Sequence, residues 1–134
     1  MTTTTIKQTV SFNALPHDVY ELIMDEDKHS AFTGSKVTMS RKVKGKFDAF
    51  DGYVHGYNIE LVQDYKIVQA WNFAEEGWDP EHFSICTFLI ERSGEKTKLS
   101  FTQQFVPVKN AEDLKKGWKE FYWSPMKAWL KKAN

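Results

Sequence analysis

Residues 110–130 read NAEDLKKGWKEFYWSPMKAWL. Leu114, Trp118, Phe121, Tyr122, Met126, Trp129 and Leu130 recur there at three- and four-residue spacing, with Lys115, Lys116, Lys119 and Lys127 between them and Lys131 just beyond. That period gathers the apolar side chains on one stripe and the lysines opposite, so the segment is an amphipathic helix with a broad aromatic face. Asn110 and Asp113 are spaced as a capping box, which places the helix start at Asn110. Gly117 and Pro125 each weaken a helix interior, and Pro125 is expected to bend the helix at about Phe121. A helix with such a face needs an apolar sheet to cover.

The preceding residues supply that sheet. Ile6, Gln8, Val10 and Phe12 alternate with Lys7, Thr9 and Ser11, as in a half-buried strand, and the threonines Thr2 to Thr5 before them are expected to fray or lead into it. Asn13 to Pro16 breaks the strand, and Pro16 suits the first turn of a helix. Val19, Leu22, Ile23 and Phe32 mark that helix, with a pause expected at Asp25 to Lys28 and an end before Gly34. From Ser35 to Val108 the period is two. Runs at Val37–Arg41, Phe47–Asp51, Tyr53–Leu61, Tyr65–Phe73, Phe83–Ile90 and Leu99–Phe105 are separated by turn residues, Asp51-Gly52 being the strongest hairpin signal. Short turns between consecutive strands mean an antiparallel meander. The expected architecture is α+β in the order β-α-β6-α: a curved antiparallel sheet of about seven strands wrapped on a long C-terminal helix, one domain over residues 1–134.

Composition excludes several classes. Lys+Arg and Asp+Glu balance at 18 each, so the net basic charge of a nucleic-acid binder is missing. Lys36, Arg41, Lys42, Lys44 and Lys46 still cluster on one hairpin, and Lys115, Lys116, Lys119, Lys127, Lys131 and Lys132 on the last helix. Either group is a solvated face or a docking surface for an acidic partner. Cys86 is the one cysteine, so an internal disulfide is excluded, and no signal peptide or apolar span is visible. The expected location is the cytoplasm, and the expected state a monomer or weak dimer.

The ordered series of motifs resembles a known family. Its parts are Asn13-Ala14-Leu15-Pro16 with Val19-Tyr20 and Leu22, Ala31-Phe32-Thr33, Gly45-Lys46-Phe47, Asp51-Gly52 and Gly56. They continue with Ile67-Val68, Trp71, Phe73, Trp78, Pro80, His82-Phe83, Gly117-Trp118 and Phe121-Tyr122. Together they are similar to the START-like helix-grip superfamily and, within it, to the C-terminal domain of the activator of the 90-kDa heat-shock protein ATPase. The resemblance covers nearly the whole chain from Ile6. It implies a helix-grip fold, a hydrophobic cavity and a role beside that chaperone. The resemblance also implies that the eukaryotic co-chaperone has an N-terminal domain that supplies its principal chaperone contact, and no such domain is expected within these 134 residues.

Catalytic and metal signatures are weak. His17, His29, His55 and His82 are scattered, one cysteine forms no cluster, and no phosphate-binding glycine loop is present. No metal or cofactor is expected. Cys86, mid-strand, is expected to be an inert small hydrophobe. The aromatics either fill the space under the helix or line a cavity for an apolar small molecule. The candidate pocket residues are Phe47, Tyr57, Gln69, Trp71, Phe73, Phe83, Phe101, Gln103, Trp118, Tyr122 and Met126. Gln69 and Gln103 share sheet faces with aromatics, so as buried amides they require partners. Trp78, His82, Arg41 and Lys42 are candidates for the rim or a partner contact, Trp78 as a lid. The leading expectation is a non-enzymatic domain holding a hydrophobic small molecule. The alternatives are an accessory protein of the 90-kDa chaperone in the stress response, or a cyclase-like or lyase-like enzyme using His55, His82 or Glu60.

Overall fold

The period-two runs pair as antiparallel neighbours in a single seven-stranded sheet with strand order β1-β7-β6-β5-β4-β3-β2. The computed structural model describes residues 2–133, with side chains through Lys131. The strands are β1 (Thr3–Phe12), β2 (Thr38–Met39), β3 (Lys46–Ala49), β4 (Val54–Val62), β5 (Lys66–Phe73), β6 (Ser84–Ser93) and β7 (Lys96–Pro107). Between β1 and β2 run α1 (Pro16–Met24) and α2 (Glu26–Thr33), broken at Asp25, whose carboxylate caps α2 by accepting from the Lys28 N–H at 3.0 Å. The chain closes with α3 (Ala111–Trp118), a π-helical turn (Lys119–Trp123) and α4 (Ser124–Ala133). This is the expected α+β helix-grip arrangement, with the helices over one face of the sheet.

The core lies between that face and the helices. Ile6, Val10 and Phe12 of β1, Ile67 and Trp71 of β5, Cys86, Phe88 and Ile90 of β6, and Leu99 and Phe101 of β7 point into it. Val19, Leu22 and Ile23 of α1 and Trp118, Tyr122 and Met126 of the last helix meet them. Two strand bulges tune the sheet. In β4, Ile59 is an extra residue between the pairs Asn58–Gln69 and Glu60–Val68. In β7, one extra residue lies between the partners of Ile6 and Thr4, where Phe105 adopts a φ of 63°.

Several expectations change. β1 begins at Thr3, paired with Pro107, so Thr3 to Thr5 belong to the strand. Arg41 lies beyond the two-residue β2. The Asp51-Gly52 turn is a four-residue loop, Phe50–Tyr53, with positive φ at Phe50, Asp51 and Gly52. β4 has the opposite phase from the expected one: Val54, Gly56 and Asn58 face the core, while Tyr57 is 40% exposed. Hydrophobicity misleads here because the outward set, Tyr57 and Ile59, is more apolar than the inward one. The inward set is dictated by space and hydrogen bonding instead. A Cβ on Gly56 would sit 1.8 Å from the Ala70 carbonyl oxygen and 2.8 Å from the Phe47 ring. Asn58 donates to the Ser40 and Lys42 carbonyls at 2.7 and 3.0 Å. Phe83 precedes the inward run Ser84, Cys86, Phe88 and so faces outward, packing on Tyr57 and His55.

The last helix also departs from a simple bend. Asn110 makes no side-chain cap bond, so the capping box is absent. Pro125 cannot donate, and the Ser124 N–H reaches back five residues to the Lys119 carbonyl. The wider turn carries both Tyr122 and Trp123 into the core and leaves Phe121 48% exposed.

Candidate functional site

The cleft sits where the last helix crosses the end of the sheet. It has a volume of about 250 Å³. Phe50 and Tyr53 from the β3–β4 turn, Val54 of β4, and Trp71 and Phe73 of β5 form one wall. Leu114, Gly117 and Trp118 of α3 and Phe121 and Tyr122 of the π-turn form the other. Glu75, Asn110 and Asp113 complete it. Gly117 keeps the helix wall open: a Cβ there would meet nothing nearer than the Phe121 ring at 4.0 Å.

The polar atoms around the cleft divide by type. The Trp71 indole N–H donates to Gln69 at 2.9 Å and the Trp118 indole N–H to Gln103 at 2.8 Å. The Tyr53 hydroxyl donates to Glu75, and burial, that bond, and the charges of Glu75 and Asp113 push its pKa up. His29 is buried, with Nδ1 2.9 Å from the Ile23 carbonyl and Nε2 2.8 Å from the Tyr122 hydroxyl. Nδ1 therefore carries the proton, and the Tyr122 hydroxyl donates to Nε2. The aromatic donors of the cleft are thus all satisfied within the protein. The acceptors are not: the buried Asn110 amide oxygen has no hydrogen-bond partner among the described residues. No cation pairs with Glu75 or Asp113 there either.

Of the eleven candidate pocket residues, Trp71, Phe73, Trp118 and Tyr122 line the cleft. Phe47, Gln69, Phe101, Gln103 and Met126 are buried in the core away from it. Tyr57 and Phe83 lie on the outer face and are corrected on that account. The glutamines act as acceptors for indoles. Gln69 also donates to Asn58 at 2.9 Å, and Gln103 to Ser84 at 2.9 Å. A third pair, Trp123 to Gln8 at 2.8 Å, joins the last helix to β1. Trp78 is not an exposed lid: it is buried against Phe73 and donates to the His82 carbonyl at 2.8 Å. The His82 ring meets the Phe105 carbonyl at 2.6 Å. His55, His82 and Glu60, the groups named for an enzymatic reading, do not line the cleft.

Sequence reasoning missed Phe50, Tyr53, Val54, Glu75, Asn110, Asp113, Leu114, Gly117 and Phe121 as lining residues. Leu114 and Phe121 carried a signal in the apolar stripe of the last helix, and Gly117 as a helix-interior glycine without a local role. The others come from a turn and the strand after it, a loop and a helix start that meet only through the fold.

Arg41 forms an ion pair with Glu21 at 2.6 Å. Lys36, Lys42, Lys44 and Lys46 are exposed and have no ion-pair partner among the described residues. Cys86 is buried, and its burial pushes the thiol pKa well up. Among the described residues no three metal-ligating groups converge. No helix there is long and apolar enough to cross a membrane.

Residues 13–131 match the family model described as Activator of Hsp90 ATPase homolog 1-like protein. The human activator of 90 kDa heat shock protein ATPase homolog 1 is 31% identical over 124 residues, covering 92% of this chain and 35% of the human protein. The chain thus spans about a third of the length of that curated relative. An HSP90 activator from Plasmodium falciparum superposes with a TM-score of 0.85 at 24% identity, covering 94% of this chain and 95% of that one. An Aha1 dimer from Colwellia psychrerythraea, solved in solution, superposes with a TM-score of 0.77 at 17% identity, covering 95% and 96%. Both structures share the fold.

Proposed function

The chain belongs to the Activator of Hsp90 ATPase homolog 1-like family, and from that premise we propose that it is an accessory domain of a 90-kDa heat-shock chaperone, acting in the stress response in the cytoplasm. The observation that carries this reading is the match across residues 13–131. The exposed Lys36, Lys42, Lys44 and Lys46, which have no ion-pair partner among the described residues, supply a docking face for an acidic surface of the ATPase. The test is pull-down with, and ATPase stimulation of, the chaperone from the same organism at low and physiological salt. Binding that weakens with salt and falls in a variant with these lysines changed to glutamine supports the reading. No binding at low salt, where charge steering is strongest, overturns it. A monomer or weak dimer fits this role, and sedimentation over a concentration series decides between them.

A second reading concerns the cleft as a site for a small apolar molecule, held without chemistry. It is favoured by the aromatic walls and by the space beside Gly117. Thermal-shift and native mass spectrometry screening test it, with Gly117→Leu as the filled control. A screen that finds no ligand, or only ligands that Gly117→Leu still binds, overturns it.

A further inference from the structure

We infer that the cleft under the last helix is a site for a small aromatic or aliphatic ammonium ion, its apolar body between the rings and its charge on Glu75 and Asp113. This rests on the reading of the cleft as a ligand site and adds the chemical class of the ligand.

Three observations carry it. First, the unsatisfied polar groups are acceptors. The hydroxyl and indole donors of Tyr53, Trp71, Trp118 and Tyr122 are spent on protein partners. With these donors spent, none of the four rings has an N–H or O–H free to meet an anion or a bare acceptor. Second, two carboxylates from different elements stand at one mouth. Both act on the Tyr53 hydroxyl, and neither has a cation within ion-pair distance among the described residues. Lys109, next to Asn110, lays its amine toward Gly77 instead. Asp113 is in the first turn of α3, where a negative charge also suits the helix dipole, but that account does not extend to Glu75 in the loop after β5. Third, the walls are aromatic, and ring faces attract cations within about 6 Å of their centroids.

Size limits the ligand. A volume of about 250 Å³ is below the range of roughly 300–1,000 Å³ that holds drug-sized molecules. It exceeds the roughly 150 Å³ that holds benzene. One ring with a short aminoalkyl arm fits.

The experiment uses the full chain with benzylammonium, phenethylammonium and phenyltrimethylammonium. Each is paired with its neutral isostere: benzyl alcohol, phenethyl alcohol and tert-butylbenzene. Amide chemical-shift titrations are read for the wild type, Glu75→Gln, Asp113→Asn, the double variant and Gly117→Leu. Gln at position 75 keeps an acceptor for Tyr53, and both acidic side chains are exposed, so these variants fold. The expected result is shifts at Phe50, Gly117 and Phe121 with the cations and weaker ones with the isosteres. Affinity for the cations should fall about two- to fivefold in each single charge variant. Equal binding of cations and isosteres, unchanged by the charge variants, keeps the cleft as a ligand site and overturns the cationic assignment. Isosteres binding more tightly than cations does the same. No shifts at these residues with any compound overturns both readings, as does binding that Gly117→Leu leaves intact.

Discussion

Trp118 and Trp123, five residues apart, stack with ring centroids 5.5 Å apart and planes 18° apart. In an α-helix a residue five positions on lies well around the barrel from the first. The π-turn at Lys119–Trp123 brings it back into line. Both indoles then reach the sheet, Trp118 to Gln103 and Trp123 to Gln8.

That register predicts unequal effects for near neighbours in the π-turn. Trp123→Ala removes a buried ring and should cost about 3–5 kcal/mol. Phe121→Ala removes a half-exposed ring and should cost about 1 kcal/mol or less. Urea denaturation of the two variants measures the difference. Similar costs would mean that the turn is α-helical in solution.

Gly117 has no steric need to be glycine, since a Cβ would meet open space. Gly117→Ala should raise stability by about 0.5–1 kcal/mol through helix propensity and a restricted unfolded chain. A lower melting temperature in the alanine variant would show that the backbone there requires glycine.

Gln103 accepts from Trp118 and donates to Ser84, whose hydroxyl donates to the Trp71 carbonyl at 3.0 Å. Gln103→Met keeps the volume and strands these buried groups, at a cost of about 2–4 kcal/mol. Adding Trp118→Phe removes the stranded donor, so the double variant should lose less than the sum of the singles. Simple additivity in denaturation midpoints would argue against the network.

His29 sets a pH limit. Burial lowers its pKa from 6.5 to about 4, against the opposing effect of the Ile23 bond. The unfolded chain takes up a proton near pH 6.5 that the folded chain refuses until about 4. The stability held by neutral His29 is therefore complete above pH 6.5 and lost as pH falls towards 4, below which the loss levels off. The span is worth about 3 kcal/mol. Urea midpoints from pH 4 to 7 should show this slope in the wild type and a flatter one in His29→Gln. An unchanged slope in the variant would assign the effect to other groups.

Much of the fold was legible because it depends on local period and turn chemistry. The stripe Trp118, Tyr122, Met126 and Leu130 faces the sheet as its spacing required. The alternation of Ile67, Gln69, Trp71 and Phe73 put all four inside. Gln69 and Gln103 were readable as buried amides needing partners, because an unsatisfied amide in such a core would not be tolerated.

The site was less legible. The phase of β4 turned on Gly56 and Asn58, which hydrophobicity ranks below Tyr57 and Ile59. It was decided by the Phe47 ring over Gly56 and by carbonyls waiting for Asn58. The sequence by itself determined the order of elements, the antiparallel meander and the helix that covers it, since these follow from each residue's near neighbours. Only the tertiary structure decided which rings line the cleft, that Trp123 turns inward, and that Tyr53, Glu75, Asn110 and Asp113 stand at one mouth. Those residues lie up to 60 positions apart. No local period records a meeting made by folding a turn, a loop and a helix start to the same end of a sheet.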